Sequence, residues 1–296
     1  MNMLRLLWAE MKLCWRHALR SYFWIIIAFG FTFLSVLEAY SLTTGYRFGV
    51  YPVRWDFFSV LEGTMKYWLI FVIAASVLIS EEREDSTWDV VRSIGANKAA
   101  LLAGKFVWLQ LYSLVLLIMG YAVTAFFLLS NSIRFSWIDI WPLVAILLSF
   151  WIVTALLNLI GLAFSSMFSK KITSVVVVVA GWMLLSVIGG DIMSSSFVGS
   201  FFNPTTPGPT GLPLAFKIGI LVDPYYFTGM VADLNSLYLI NVPLGPNSGV
   251  QLSTPVLFFS PGLGYILVFA AFVMVCIFLI WTALMAKDRW GLFNGS

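Results

Sequence analysis

Residues 81–105 read EEREDSTWDVVRSIGANKAALLAGK and open on five consecutive charged side chains. Glu81, Glu82, Glu84, Asp85 and Asp89 follow directly on an apolar run. Acidic residues at a membrane face contribute little to orientation, which is set by Lys and Arg. Some other constraint must therefore keep them there. Ser86 to Ser93 can form a short helix, and Gly95-Ala96-Asn97 would turn the chain before the next apolar run. A short charged helix projecting from two spans is suited to docking a soluble partner. An ordinary solvated loop would have the same composition, and the residues alone leave both readings open.

A second set of polar residues lies inside apolar runs, where each is costly unless paired or facing a cavity. Glu62 and Lys66 stand at i, i+4, the orientation that favours a helical ion pair. Glu38, Gln110, Asn158 and Asp191 lie in or at the ends of other runs, and Asp223 precedes a proline. Together they are candidates for a substrate path or gate. The competing reading puts Glu38, Glu62, Lys66 and Asp191 at an interface and lets Asn158 bond a neighbouring helix. Trp8, Trp15, Trp55, Trp68, Trp137, Trp141 and Trp290 fall near the ends of runs and read as interface anchors.

Several kinds of chemistry are excluded. His17 is the only histidine, so a histidine-based metal site or triad within the chain is not expected. Cys14 and Cys276 are too few and too scattered for a disulfide framework, and each reads as a small buried hydrophobe. No convergent acid–base pair appears, which counts against an intramembrane enzyme. The sequence has no G-x-x-x-x-G-K-[ST] phosphate loop, since AALLAGKF lacks the first glycine and the final hydroxyl. The N-terminus has no apolar core or cleavage site of a signal peptide.

The elements that would position these residues follow from composition. Of 296 residues, 60% are hydrophobic and 10% charged, against roughly 45–50% and about 25% in soluble domains. Six runs reach the roughly 20 residues needed to cross a bilayer: 21–43, 57–80, 101–130, 139–167, 172–193 and 261–286. With the N-terminus inside, the inner segments hold Arg5, Lys12, Arg16, Arg20, Arg83, Arg92, Lys98, Lys105, Lys170, Lys171, Lys287 and Arg289. The outer ones hold Arg47, Arg54, Lys66, Arg134 and Lys217, a bias of 12 to 5 among the 17. Residues 1–20 read as an interfacial amphipathic helix, with Arg5, Lys12, Arg16 and Arg20 on one stripe and Leu4, Leu7, Trp8, Met11, Trp15 and Leu19 assigned to the other side. Region 21–193 holds spans one to five, with inner loops at 81–97 and 168–171. Region 194–260, with Pro261, carries nine of the 11 prolines yet stays apolar. It reads as short re-entrant outer helices capping the bundle, Asp223-Pro224 starting the principal one. Span six at 261–286 and a tail at 287–296 complete an all-α polytopic membrane protein, N-in and C-in.

The inner loop resembles the signature of the ABC-2 permeases, roughly E-R-E-x-G-T-L-[ED]-x-L-L-x-x-P-x-x-[RK]-x-x-I-x-x-G-K. Glu82-Arg83-Glu84, Thr87, Asp89, Val91, Lys98 and Gly104-Lys105 fall at its spacing. Ser86 replaces the usual glycine and Gly95 the usual proline. The basic N-terminus, six spans, the short loop Ser169-Lys170-Lys171 and the late DPYYF are also similar to the family.

The resemblance implies the transmembrane subunit of an ABC exporter of type V fold, working as a homodimer or with a paired paralogue in the cell membrane. Each copy would dock a cytosolic ABC ATPase, two in the complex, through Glu81, Glu82, Arg83, Glu84, Asp85, Thr87, Asp89, Ser93, Lys98, Ser169, Lys170 and Lys171. ATP and Mg would be held by that ATPase, with no cofactor in this chain. A lipid-like or amphipathic substrate fits an apolar path with few fixed charges, and an ion or a small peptide is left open. The rival from another class is a membrane scaffold or sensor docking a partner through the same loop.

Overall fold

The protein is seen in a computed structural model that describes residues 3–45, 68–85, 98–130, 140–194, 222–224 and the single positions 273, 275, 277, 279 and 280. Among them are six helices: α1 (Met3–Arg20), α2 (Tyr22–Gly45), α3 (Leu69–Glu84), α4 (Lys98–Ser130), α5 (Ile140–Met167) and α6 (Lys171–Ser194). Four are long and apolar enough to cross a membrane, over Tyr22–Ser41, Ala99–Phe127, Phe150–Met167 and Lys171–Ile192. They fall on the expected runs at 21–43, 101–130, 139–167 and 172–193. Only the second half of the run at 57–80 lies in α3. Most of the run at 261–286, Glu62, Lys66, the loop 86–97 and nearly all of 194–260 lie outside the described residues. The chain divides into two compact units, 1–178 with 273–296, and 179–272.

Within the first unit, helix lengths follow from sequence punctuation. Ser21 alone separates α1 from α2, its N–H still bonded to the His17 carbonyl at 2.9 Å. Pro142 sits in the first turn of α5, where a missing N–H is harmless. At 33 residues, α4 is about 50 Å long, well beyond the roughly 30 Å of hydrocarbon. One of its ends must lie at or beyond the membrane boundary.

The tightest pairing is α3 against α5, built on small residues. A Cβ at Gly161 would stand 2.4 Å from Ala75 Cβ and 2.5 Å from the Val72 carbonyl oxygen, so only glycine permits this approach. Val72, Ala75 and Ser76 stand against it, all buried. Close backbone approach through small residues is how helices associate where lipid offers no hydrophobic contrast. Next to this crossing, Ser165 Oγ accepts from the Ile79 and Ser80 N–H groups at 2.8 and 2.9 Å, and Ser174 Oγ donates to the Ser76 carbonyl at 2.9 Å. One hydroxyl from α5 thus meets two successive main-chain donors of α3. Of the four candidate spans, Phe150–Met167 is the most enclosed, with 61% buried against 22% in Tyr22–Ser41.

Aromatic packing joins α1, α2 and α4. Trp108 meets Trp24 edge-on at 4.7 Å and Trp15 at 6.4 Å, and stacks on Tyr112 at 5.4 Å. Tyr112 donates to the Trp24 carbonyl at 2.6 Å. Two expectations about tryptophans change here. Trp68 is fully buried, edge-on to Phe71 and Phe150, and is core rather than an interface anchor. Trp8 and Leu19 are exposed, beside the basic stripe instead of opposite it. At 100° per residue they fall within about 60° of Arg5 and Lys12. The face opposite, Met11, Cys14 and Ala18, is buried, and α1 packs on α4.

Candidate functional site

The run Glu81–Glu84 ends α3 beside the start of α4, the middle of α1 and the turn between α5 and α6. A helix leaves its last carbonyls and first N–H groups unmatched, with negative and positive partial charge respectively. Arg83 answers the first problem at α5: its Nη1 donates to the carbonyls of Ser166 and Phe168. Glu84 answers the second at α6: its Oε2 accepts from the Lys171 N–H at 3.0 Å. The adjacent charges of opposite sign thus cap the two ends of one helix–turn–helix. Glu81 completes the clamp, with His17 Nε2 at 3.2 Å and Lys171 Nζ at 3.6 Å.

Glu82 points the other way, into the bundle. It pairs with Lys105 Nζ, whose second partner is Glu10 Oε1 at 2.5 Å. The Lys105 side chain is 1% exposed, Glu10 11% and Glu82 23%. Burial pushes the Glu82 carboxyl above its ordinary range, against the pull of Lys105. Burial also raises the nearby Cys14 thiol to about 12, so it remains protonated and weakly nucleophilic at neutral pH.

This triad gives the two ends of the motif a physical role. Gly104 lets α1 come close: a Cβ there would stand 2.9 Å from Glu10 Cβ and 3.2 Å from the Leu7 carbonyl oxygen. Lys105 then ties α1 to α3 from α4. Sequence reasoning assigned no role to Lys105 or Glu10. The available signal was that Glu10 is the one acid in an otherwise basic α1 and that the motif itself begins with Glu82 and ends on Lys105.

The structure brings together Glu81, Glu82, Arg83, Glu84 and Lys171 from the expected docking set. Asp85, Ser169 and Lys170 are exposed beside them. Thr87, Asp89 and Ser93 lie outside the described residues, and Lys98 is described only as the first residue of α4. Of the candidate path residues, Glu62 and Lys66 lie outside the described residues. Gln110 and Asn158 are both buried on α4 and α5, Glu38 is half-buried in α2, and Asp191 is exposed near the end of α6. In the second unit, Ser186 Oγ donates to Asp223 Oδ1 at 3.2 Å. Asp223 is 4% exposed and leaves no room for a Cβ at Gly189, which would stand 2.5 Å from Asp223 Cβ.

Four helices long and apolar enough to cross a membrane, with a charged intramolecular clamp at one end, suggest a membrane protein. A family model described as ABC-2 family transporter protein matches residues 6–184, which takes in α2 to α5 and most of α1 and α6. The chain belongs to that family. No curated protein matches it. Membership makes it a transmembrane permease-type subunit that associates with an ABC ATPase.

Proposed function

We propose that this chain is the permease of an ATP-driven exporter of lipid-like or amphipathic molecules, in the cell membrane, with six spans and both termini cytoplasmic. It pairs with a second permease copy in the type V arrangement, and each copy docks one ATPase. The observation that carries the reading is the clamp in the matched family's motif. Arg83 and Glu84 cap α5 and α6, and Glu82 binds Lys105, so the base of the loop 86–97 is held rigidly to α1, α4, α5 and α6. A push on that loop by a closing ATPase then reaches all of them at once. Because Glu81, Glu82 and Glu84 have intramolecular partners, docking falls mainly to Thr87, Asp89 and Ser93 with the exposed Asp85, Ser169 and Lys170. Lys98 stands at the far side of the loop. ATP and Mg are the partner's.

The 12-to-5 bias of Lys and Arg supports the cytoplasmic placement of the clamp. The exposed apolar surface of α2, including Ile26, Phe29 and Phe33, supports a lipid-embedded bundle. In this scheme Glu38, Glu62, Lys66, Gln110, Asn158, Asp191 and Asp223 are the polar points of the path or its outer cap at 194–260.

Affinity purification of the tagged chain from its source membranes tests the assignment. The expected result is retention of a polypeptide carrying a phosphate loop, and ATP-dependent flux of a fluorescent phospholipid after reconstitution. Absence of any such ATPase would overturn the permease reading. ATPase retention with no ATP-dependent flux of any amphiphile would favour the scaffold.

A further inference from the structure

Away from the clamp, α4 and α5 meet along a polar seam in mid-span. Gln110 and Ser113 are one turn apart on α4, which sets their Cβ atoms about 5–6 Å apart. Trp151 and Asn158, two turns apart, face them from α5. Trp151 Nε1 donates to the Gln110 main-chain carbonyl at 2.8 Å, and Asn158 Nδ2 donates to Ser113 Oγ at 3.0 Å. Thr154, between them, is satisfied within its own helix by the Trp151 carbonyl at 2.7 Å.

Two side-chain atoms of this seam have no hydrogen-bond partner among the described residues: Gln110 Nε2 and Asn158 Oδ1. Gln110 is 8% exposed and Asn158 1%. In a membrane span neither can turn to solvent, and a buried polar group left unmet is destabilising. The two are of opposite kind. The Gln110 amide nitrogen can only donate and the Asn158 amide oxygen can only accept. They lie on neighbouring turns, since Asn158 bonds Ser113, the residue one turn from Gln110.

That pairing specifies what the seam accepts. An anion would face the Asn158 oxygen, and a cation would face the Gln110 N–H groups. A bare carbonyl would meet Gln110 but leave Asn158 unmet. A hydroxyl satisfies both, accepting from one amide and donating to the other. We propose that the α4–α5 seam is a binding site for one neutral hydroxyl, held between Gln110 Nε2 and Asn158 Oδ1. Its source is a water molecule or the hydroxyl of a lipid-like molecule, and only the second source rests on the transport reading. With the hydroxyl in place, α4 and α5 are joined by a continuous chain of hydrogen bonds from Ser113 to Gln110. Without it, two unmet groups in apolar surroundings weaken the contact.

The test uses the full chain in two kinds of nanodisc, one of a synthetic phosphatidylcholine without hydroxyl groups and one of total lipid extract from the source cell. Structure determination at water-resolving resolution is expected to show density about 3 Å from both side-chain atoms. Density in both preparations assigns the hydroxyl to water. Density confined to the extract assigns it to a lipid-like molecule. Variants give an independent reading in the preparation that shows density. Gln110→Leu and Asn158→Leu should each lower the unfolding temperature by at least about 2 °C, because each leaves the hydroxyl and the other amide half-satisfied. The double variant should lie above the sum of the two losses. Empty density in both nanodiscs, a direct Gln110–Asn158 hydrogen bond, or strictly additive losses would each overturn the site. Because the water arm needs no transport, failure of the exporter reading leaves this outcome separately measurable.

Discussion

Lys105→Met removes the amine that joins α1, α3 and α4 while keeping most of the side-chain volume. In the wild type, unit charges about 3 Å apart attract by ~5 kcal/mol at an effective dielectric constant of ~20. Lys105 has two such partners, Glu10 and Glu82. Repulsion between the two carboxylates and several kcal/mol of desolvation per ion offset much of that gain. The variant loses the attraction but keeps both acids at 11% and 23% exposure, so its stability should fall by about 3–5 kcal/mol. Protonation can relieve part of the loss. Glu82 is already raised by burial, and a carboxyl raised in the folded state favours folding below its unfolded pKa and loses that contribution as pH rises through the folded value. The variant should therefore be least impaired at acid pH and most impaired at neutral pH. Denaturant unfolding measures the loss, and amide exchange across Met3–Arg20 should quicken as α1 loosens. The change for Lys105→Met combined with Glu10→Gln should depart from the sum of the singles by about 0.5–3 kcal/mol. Unchanged stability, unchanged α1 exchange or strict additivity would refute the triad.

Three further outcomes follow from the packing. Gly161→Ala puts a Cβ 2.4 Å from Ala75 Cβ and against the Val72 carbonyl, forcing α3 and α5 apart. About 1–3 kcal/mol of stability should be lost, read by unfolding, with little effect if the two backbones are not in contact. Ser165→Ala strips the acceptor from the Ile79 and Ser80 N–H groups. Their amides should exchange faster, with about 1–3 kcal/mol of destabilisation. Equal exchange in wild type and variant would contradict these two contacts. Cys14, raised to about 12 by burial, should resist alkylation at pH 8 in the folded protein and react on denaturation. Its contribution to stability is complete below the ordinary thiol value of 9.0 and is lost as pH rises towards about 12. Rapid labelling of the native protein would contradict its burial.

Much of this architecture is readable along the chain because membrane solvation acts on each helix separately. A run such as Tyr22–Ser41 or Lys171–Ile192 must be apolar whatever its neighbours are, so composition alone marks it. Gly104-Lys105 and Glu82-Arg83-Glu84 were visible as a motif for the same reason: spacing is a local property. Their partners were not. That Arg83 meets the carbonyls of Ser166 and Phe168, that Glu84 meets the N–H of Lys171, and that Lys105 meets Glu10 are contacts across 83, 85, 87 and 95 positions. They exist only once α5, α6 and α1 have packed. Periodicity also showed that α1 has a basic face and an apolar face, but it could not say which surface would cover the apolar one. Only α4, with glycine at 104 to admit α1 and Trp108 to receive Trp15, decided that Met11, Cys14 and Ala18 are buried within the bundle. The reason is general to helical membrane proteins: hydrophobicity selects the spans one at a time, whereas polar satisfaction and close backbone approach are properties of pairs.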